Sequence, residues 1–191
     1  MDESFRTASE DHESFYILCA VVVDRAEVVS FRRELENLAN AVRWHTTEMG
    51  RSDEGRQKIR RMARLIASYS KVVIALSSHL QETDRAGELA RSTLTKKLLD
   101  DLAENHMYST GTVVYEKRVP GEMRVRDEAL FTEIAKGDSP ASRLTFWGFA
   151  SKNEPLLWAP DLVAWAFRQA YDKGDESFFQ DLEKCTTVLK L

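Results

Sequence analysis

The sequence lacks features that define several common classes of protein. It has only two cysteines, Cys19 and Cys185, and their spacing fits neither a disulfide framework nor a zinc site. Sparse, unpaired cysteine suits a reducing compartment, so we expect a cytoplasmic protein. The start of the chain is polar, which argues against a signal peptide, and no apolar run approaches the length of a membrane span.

The sequence also lacks a net basic charge and several well-known catalytic motifs. The formal net charge is −4, so the chain has no overall basic excess of the kind that marks many nucleic-acid-binding domains. Any such contact would have to use a local basic patch. The sequence has no glycine-rich phosphate loop, nucleophile elbow or cysteine–histidine cluster, which disfavours nucleotide-dependent enzymes and serine hydrolases.

What the chain does have is an alternation of strand-like and helix-like apolar patterns. With 191 residues, 43% apolar and 30% charged, it fits a single domain, 1–191, with a substantial core. The nearly continuous apolar run Phe15–Val23 predicts a central strand buried on both faces. Further strands are predicted at 72–76, 112–116 and 144–150, and helices at 25–42, 52–68, 84–105, 122–136 and from 155. Residues 172–191 are predicted to form a helical extension, with one helix at 176–183.

This order predicts one α/β domain built around a mixed sheet flanked by helices. We expect an antiparallel hairpin at the N-terminus and parallel pairing where helices cross over. The first strand of the hairpin would begin almost at residue 1 and carry Asp2 and Glu3. Neighbouring strand residues point to opposite faces, so only one of these acids can face a given site. A frayed acidic terminus is the alternative.

Asp161 is the most informative single residue. It lies in an apolar segment, where its helical neighbours are Leu157, Ala164 and Trp165. An ionised carboxylate on such a face is costly unless a cation or hydrogen bonds meet it. We interpret Asp161 as a metal ligand or active-site acid. The alternative is that it caps a helix that starts late, at Pro160.

Three other residues could take part in the same chemistry. Glu116 ends a predicted buried strand, a common place for a ligand in an α/β sheet, although it could instead pair with the basic residues that follow. His45 and Glu48 follow the first predicted helix in a short strand or irregular segment. If that segment is helical, the two could lie on one side, with His45 moving a proton. A surface histidine beside a tryptophan is the simpler alternative.

A stripe of arginines marks one predicted helix. Arg56, Arg60 and Arg64 recur every four residues along one helical face. Such a stripe could contact phosphates. The solvated side of an amphipathic helix is the alternative.

Together these segments resemble a bacterial and phage family of unknown function with a predicted ribonuclease H-like fold. Members usually begin with a strand ending Asp-Glu-Ser-Gly, and later carry Ser-Lys and then Gln-x-Ala-Asp before an apolar helix. The resemblance spans residues 1 to about 171. The matching positions are Asp2-Glu3-Ser4, the strand Phe15–Val23, His45 with Glu48, Ser151-Lys152, and Asp161-Leu162-Val163-Ala164.

The resemblance implies a ribonuclease H-like mixed sheet and a metal-dependent nuclease site. Asp2, Glu116 and Asp161 would hold Mg²⁺ or Mn²⁺, which would activate water and stabilise the leaving oxygen of a phosphodiester. Glu3, His45 or Glu48 would assist. Nucleic acid is the expected partner, contacted by the arginine stripe and Lys152. A protein partner or a second copy of the chain is a further expected partner, and a membrane is not expected.

Four positions depart from the family pattern. Phe5 stands for the usual Gly, Trp158 for Gln and Pro160 for Ala, and Ala150 stands where an acid often precedes Ser-Lys. The departures at Phe5, Trp158 and Ala150, together with the net acidic charge, favour an alternative function: a catalytically inactive ribonuclease H-like module that binds or regulates a partner, in a phage-defence or toxin-related setting. Trp158 and Trp165 would then offer an aromatic surface to that partner.

Overall fold

The computed structural model describes residues 1–7, 13–41, 43–84, 86–106, 111–149 and 154–191. Within these ranges the protein is a mixed α/β structure, as the sequence predicts. The strands are β1 (Asp2–Arg6), β2 (Phe15–Val23), β3 (Ser70–Ser77), β4 (Thr112–Glu116), β5 (Thr145–Phe149) and β6 (Thr186–Lys190). The α-helices are α1 (Val28–Ala39), α2 (Thr46–Met49), α3 (Asp53–Tyr69), α4 (Glu88–Asp101), α5 (Glu122–Lys136) and α6 (Trp158–Lys173).

The strands combine antiparallel and parallel pairing. Four of them form a sheet in the order β1-β2-β3-β6, and β4 pairs with β5. β1–β2 and β2–β3 are antiparallel, whereas β3–β6 and β4–β5 are parallel. The predicted mixed sheet, antiparallel at its N-terminal hairpin and parallel after helical crossovers, is therefore confirmed. The backbone nitrogen of Met1 donates to the Val114 carbonyl at 2.9 Å, which places β4 beside the outer edge of β1.

β2 separates two apolar cores because successive side chains of a strand point to opposite faces. Ile17 and Cys19 belong to the core packed by α1, α3 and α6, which we call the α6 face. Leu18 and Ala20 belong to the core packed by α4 and α5, which we call the α4 face. The continuous apolar run of β2 is thus explained by burial on both sides.

The short helix α2 lies close against the start of α3. The Ser52 side chain caps α3 by accepting a hydrogen bond from the Gly55 nitrogen at 3.0 Å. A Cβ atom at Gly55 would lie 1.9 Å from the Met49 carbonyl oxygen. Glycine at this position therefore lets α2 approach, and that approach positions the residues of α2 described below.

The C-terminal segment differs from its prediction. The helix expected at 176–183 is wrong: the chain forms short 3-10 turns at Glu176–Phe178 and Glu183–Cys185, and then β6. β6 adds to the open edge of β3 as a parallel strand. Its β-branched residues favour a strand, but the strand needs a partner that lies more than a hundred residues earlier in the chain.

Among the described residues, no helix is long and apolar enough to cross a membrane.

Candidate active site

The side chains of β1 divide between the two faces of the sheet. Arg6 forms an ion pair with Asp172 of α6, so the even-numbered positions of β1 face α6. Glu3 lies 2.7 Å from Arg91 of α4, on the opposite face. Asp2 is therefore the acid of β1 on the α6 face, and Glu3, expected as an assisting residue, points away from it.

Asp2 and Asp161 both lie close to Cys19. Asp2 is directly opposite Cys19 in the β1–β2 register. The Cys19 thiol donates to the Pro160 carbonyl at 3.0 Å, one residue before Asp161. Burial raises the pKa of this thiol, and the negative charges of Asp2 and Asp161 raise it further. The fold thus brings the first-strand acid and the last-helix acid to one side of the sheet.

The Asp161 carboxylate contacts the start of α2 instead of capping its own helix. Its Oδ2 accepts from the Thr46 nitrogen at 3.0 Å and from the Thr46 hydroxyl at 2.6 Å. The Thr46 hydroxyl in turn accepts from the buried Trp44 indole nitrogen at 2.7 Å. α6 begins at Trp158 with Asp161 in its first turn, so the alternative that Asp161 is the N-cap of its own helix is wrong.

His45 and Glu48 lie next to this contact. The segment expected as a strand or irregular chain is the short helix α2, with His45 immediately before it. His45 is half-buried and precedes the residue that binds Asp161, whereas Glu48 is exposed. The structure therefore places His45 one residue before the threonine that binds Asp161 and leaves Glu48 on the surface.

Glu116 ends β4 and is half-buried. Val113 and Tyr115 belong to the α4-face core, where Tyr115 lies 4.4 Å from the Phe131 ring of α5. Because strand side chains alternate, Glu116 projects from the side of β4 opposite Val113 and Tyr115. Of the basic residues that follow it, Arg118 pairs with Glu88 at 2.7 Å.

The arginine stripe has partners within the protein. Arg56 donates to the Gly50 carbonyl at 3.0 Å, and Arg64 lies 3.1 Å from Asp181. The Arg60 guanidinium lies over the Phe178 ring at 4.9 Å. These contacts support a structural role for the stripe, and its contact with nucleic acid stays a prediction. Lys152, with Ala150 and Ser151, lies outside the described residues.

The two tryptophans of the last helix do not form an exposed surface. Trp158 is 1% exposed and lies in the α6-face core. Trp165 is half-buried, with its ring 4.9 Å from Phe178. Their expected role as a partner surface is therefore wrong, because both rings pack within the protein.

The α4 face contains a buried charge network that was not predicted from the sequence. Arg91 donates to both carboxylate oxygens of Asp127 at 3.0 Å, and both residues are buried. Arg118 lies 3.2 Å from the same aspartate. Burial alone would lower the pKa of Arg91, but Glu3 and Asp127 outweigh it and the pKa is raised. The network holds β1, α4, α5 and the end of β4 together.

The sequence contained a signal for this network. Arg91 precedes Leu94 and Leu98 at helical spacing, and Asp127 precedes Leu130 and Phe131 in the same way. A charged residue on an apolar helical stripe is the pattern that marks Asp161. The same reasoning applied to α4 and α5 would have identified the buried pair.

The donor chemistry of the acids on the α6 face fits a hard divalent cation. Within the described ranges there is no group of three or more His, Cys, Asp or Glu side chains arranged to hold a metal. Mg²⁺ in proteins is commonly bound by one or two carboxylates, with water and substrate phosphates completing its coordination. Asp2 and Asp161 supply two carboxylates around Cys19. Carboxylate oxygens are donors that Mg²⁺ and Mn²⁺ prefer, so the donor chemistry of this pair is compatible with either ion.

Comparison with known proteins finds no match to the chain among protein-family models, curated proteins or solved structures.

Proposed function

We propose that this protein is a metal-dependent phosphodiesterase of ribonuclease H-like type that cleaves nucleic acid. The observation that carries the proposal is the placement of Asp2 and Asp161 around Cys19 on one face of the sheet. These two carboxylates would be the principal metal ligands, and Glu116 would be the third. The antiparallel N-terminal hairpin followed by parallel crossovers supports the ribonuclease H-like interpretation.

The proposed ligands are held in place by neighbouring groups. Thr46 directs Asp161 with two hydrogen bonds to one oxygen, and Trp44 orients the Thr46 hydroxyl. The Asp2 carboxylate accepts from the Glu3 nitrogen at 2.8 Å. Groups that orient a ligand in this way commonly change metal affinity or activity about 10- to 100-fold when they are removed.

These positions suggest a role in the reaction for the metal ion and for each residue. A bound Mg²⁺ or Mn²⁺ would supply an activated water and stabilise negative charge on the leaving oxygen. Asp2, Glu116 and Asp161 would orient the phosphodiester through that ion. The His45 side chain, beside Thr46, would donate a proton to the leaving oxygen.

Cleavage of labelled single-stranded and duplex DNA and RNA, with Mg²⁺, Mn²⁺ or EDTA, tests the proposal. We expect cleavage with either metal, none with EDTA, and a loss in Asp161→Asn at least as large as the roughly 100-fold caused by removing a group that supports a ligand. Asp138→Asn is the matched control, because it removes one carboxylate from an exposed turn after α5. Metal-dependent cleavage that survives in Asp161→Asn would refute the assignment of this residue.

Thermal unfolding with increasing Mn²⁺ provides an independent measurement. Binding to the folded protein alone stabilises it by about 2.7 kcal/mol when the free metal is a hundredfold above Kd. We expect a rise in Tm for the wild type that is reduced in Asp161→Asn. If millimolar metal leaves Tm unchanged and no substrate is cleaved, the inactive binding module becomes the better interpretation.

A further inference from the structure

β1 packs against α6 along a line that we call the seam. Arg168 lies on this line, beyond Asp161. It follows Asp161 by two helical turns, a rise of about 10 Å, and therefore lies on the same side of α6. Ser4 follows Asp2 on the same face of β1, about 7 Å along the strand. Arg168 Nη1 lies 3.5 Å from the Ser4 hydroxyl. A cationic side chain thus lies close to the proposed catalytic acids.

Arg168 is more weakly held than its neighbour Arg6. Arg6 pairs with Asp172 and donates to the Glu13 carbonyl from Nε at 3.0 Å and from Nη2 at 2.9 Å. Arg168 reaches the Asp172 carboxylate only at 3.8 Å, and 34% of its side chain is exposed. Asp172 is paired more closely with Arg6, so Arg168 is the arginine whose charge is less neutralised. That charge can attract an added anion.

Beyond Arg168 the seam opens into a cavity of about 240 Å³. The residues that line it are Arg6, Glu13, Ser14, Phe15, Ser78, Tyr171 and Asp172. Two of these are acids and one is an arginine, so the cavity suits an uncharged ring and not a phosphate. Tyr171 is 44% exposed, and its ring stands edge-on to Phe15 at 5.6 Å. The cavity is smaller than the roughly 300–1,000 Å³ of sites for drug-sized ligands, so it suits a single ring. An exposed aromatic ring beside a cation is how many proteins hold an unpaired base.

We propose that a single-stranded nucleic acid lies along the seam. The cleaved phosphodiester would lie at Asp2 and Asp161, the adjacent phosphate at Arg168, and a neighbouring base against Tyr171. The proposal rests on the nuclease function above and adds the form of the substrate and its direction across the site. A base stacked on Tyr171 is not paired, so duplex is the poorer substrate.

Two substrates separate this proposal from the nuclease function itself. Bis(p-nitrophenyl) phosphate is a phosphodiester with no neighbouring phosphate or base, whereas a single-stranded oligonucleotide has both. In Arg168→Gln we expect kcat/KM for the oligonucleotide to fall about 10-fold, with cleavage of the small diester within about 2-fold of wild type. Arg168→Lys keeps the charge and should recover most of the oligonucleotide activity. Arg61→Gln, which removes an exposed arginine of α3, is the matched control.

Binding measured in EDTA gives a second readout. The slope of log K against log salt for a single-stranded oligonucleotide should decrease by about 0.7 in Arg168→Gln, the effect of losing one phosphate contact. Tyr171→Leu should weaken binding by roughly 5-fold or more and leave the slope unchanged. Thermal melting of each variant verifies that it is folded.

The outcomes are distinguishable. If wild-type protein cleaves neither substrate with metal, the nuclease function fails and this proposal fails with it. If wild type cleaves both and Arg168→Gln cleaves the oligonucleotide normally, the seam assignment alone is overturned. An equal loss on both substrates would mean that Arg168 supports the catalytic acids, and this result would also overturn the seam assignment. A preference for duplex that is insensitive to Tyr171→Leu has the same consequence.

Discussion

Thr46 donates two hydrogen bonds to one oxygen of Asp161, from its nitrogen at 3.0 Å and from its hydroxyl at 2.6 Å. The two residues are separated by 115 positions in the chain and join α2 to α6. The apolar segment around Asp161 indicated that a cation or hydrogen bonds must compensate its carboxylate. Thr46 supplies two of these hydrogen bonds. The carboxylate remains on the face of the sheet that also carries Asp2.

Thr46→Val tests this contact. The change removes the acceptor of the buried Trp44 N–H and one donor to Asp161, so we expect the free energy of unfolding to fall by about 1–3 kcal/mol. Urea denaturation measures the difference. Thr46→Ser retains the hydroxyl and should lie much closer to wild type. A valine variant as stable as wild type would show that the hydrogen bonds are energetically neutral.

Arg91→Met tests the buried charge network on the α4 face. Removing one partner leaves Asp127 buried without its bidentate partner, and we expect a loss of about 3–5 kcal/mol in unfolding free energy. The double variant Arg91→Met with Asp127→Leu should recover part of this loss. Arg126→Met breaks an exposed pair with Glu122 and should cost no more than about 1 kcal/mol. Equal effects of the two single variants would contradict the buried assignment.

The stability of the protein at alkaline pH should depend on Cys19. Burial raises the pKa of this thiol above its ordinary value of 9.0, so the thiol ionises first in the unfolded chain. As pH rises above about 9, the unfolding free energy should fall by up to about 1.4 kcal/mol per unit from this group. The contribution is fully present below pH 9 and is lost as pH rises toward the folded pKa.

Urea denaturation between pH 8 and pH 10 measures this dependence in wild type and Cys19→Ala. The alanine variant lacks the ionising group, so its unfolding free energy should decline less over that range. Tyr16, whose pKa is also raised by burial, contributes in both proteins from its ordinary value of 10.0 upward. Parallel pH profiles in the two proteins would show that Cys19 does not titrate differently on unfolding.

Leu182→Ala tests whether the C-terminal segment belongs to the core. Leu182 has no exposed surface and lies in the α6-face core, so the truncation should cost about 2–5 kcal/mol of unfolding free energy. Leu191→Ala is the matched control, since Leu191 is 52% exposed and its loss should fall within about 0.5 kcal/mol. Similar, small effects at both positions would mean that the segment docks weakly.

Local patterns predicted those elements whose character is contained within one segment. The strand Phe15–Val23 and the helix Glu122–Lys136 have the bounds expected from sequence. Their apolar spacing was sufficient because burial on two faces, or on one helical stripe, repeats along the segment itself. The prediction failed at 176–183 and at β6, where the structure of the segment depends on the distant edge of β3.

The sequence by itself determined that Asp161 is a carboxylate on an apolar helix and that Asp2 and Glu3 must face opposite sides of a strand. Tertiary structure alone decided which acid faces α6, that Thr46 meets Asp161, and that Cys19 lies beside both Asp2 and Asp161. It also placed Arg168 beside Ser4 and buried Arg91 against Asp127. The physical reason is that alternation and helical periodicity are local properties of the backbone. Contacts between residues a hundred or more positions apart depend on how the two faces of the sheet are packed.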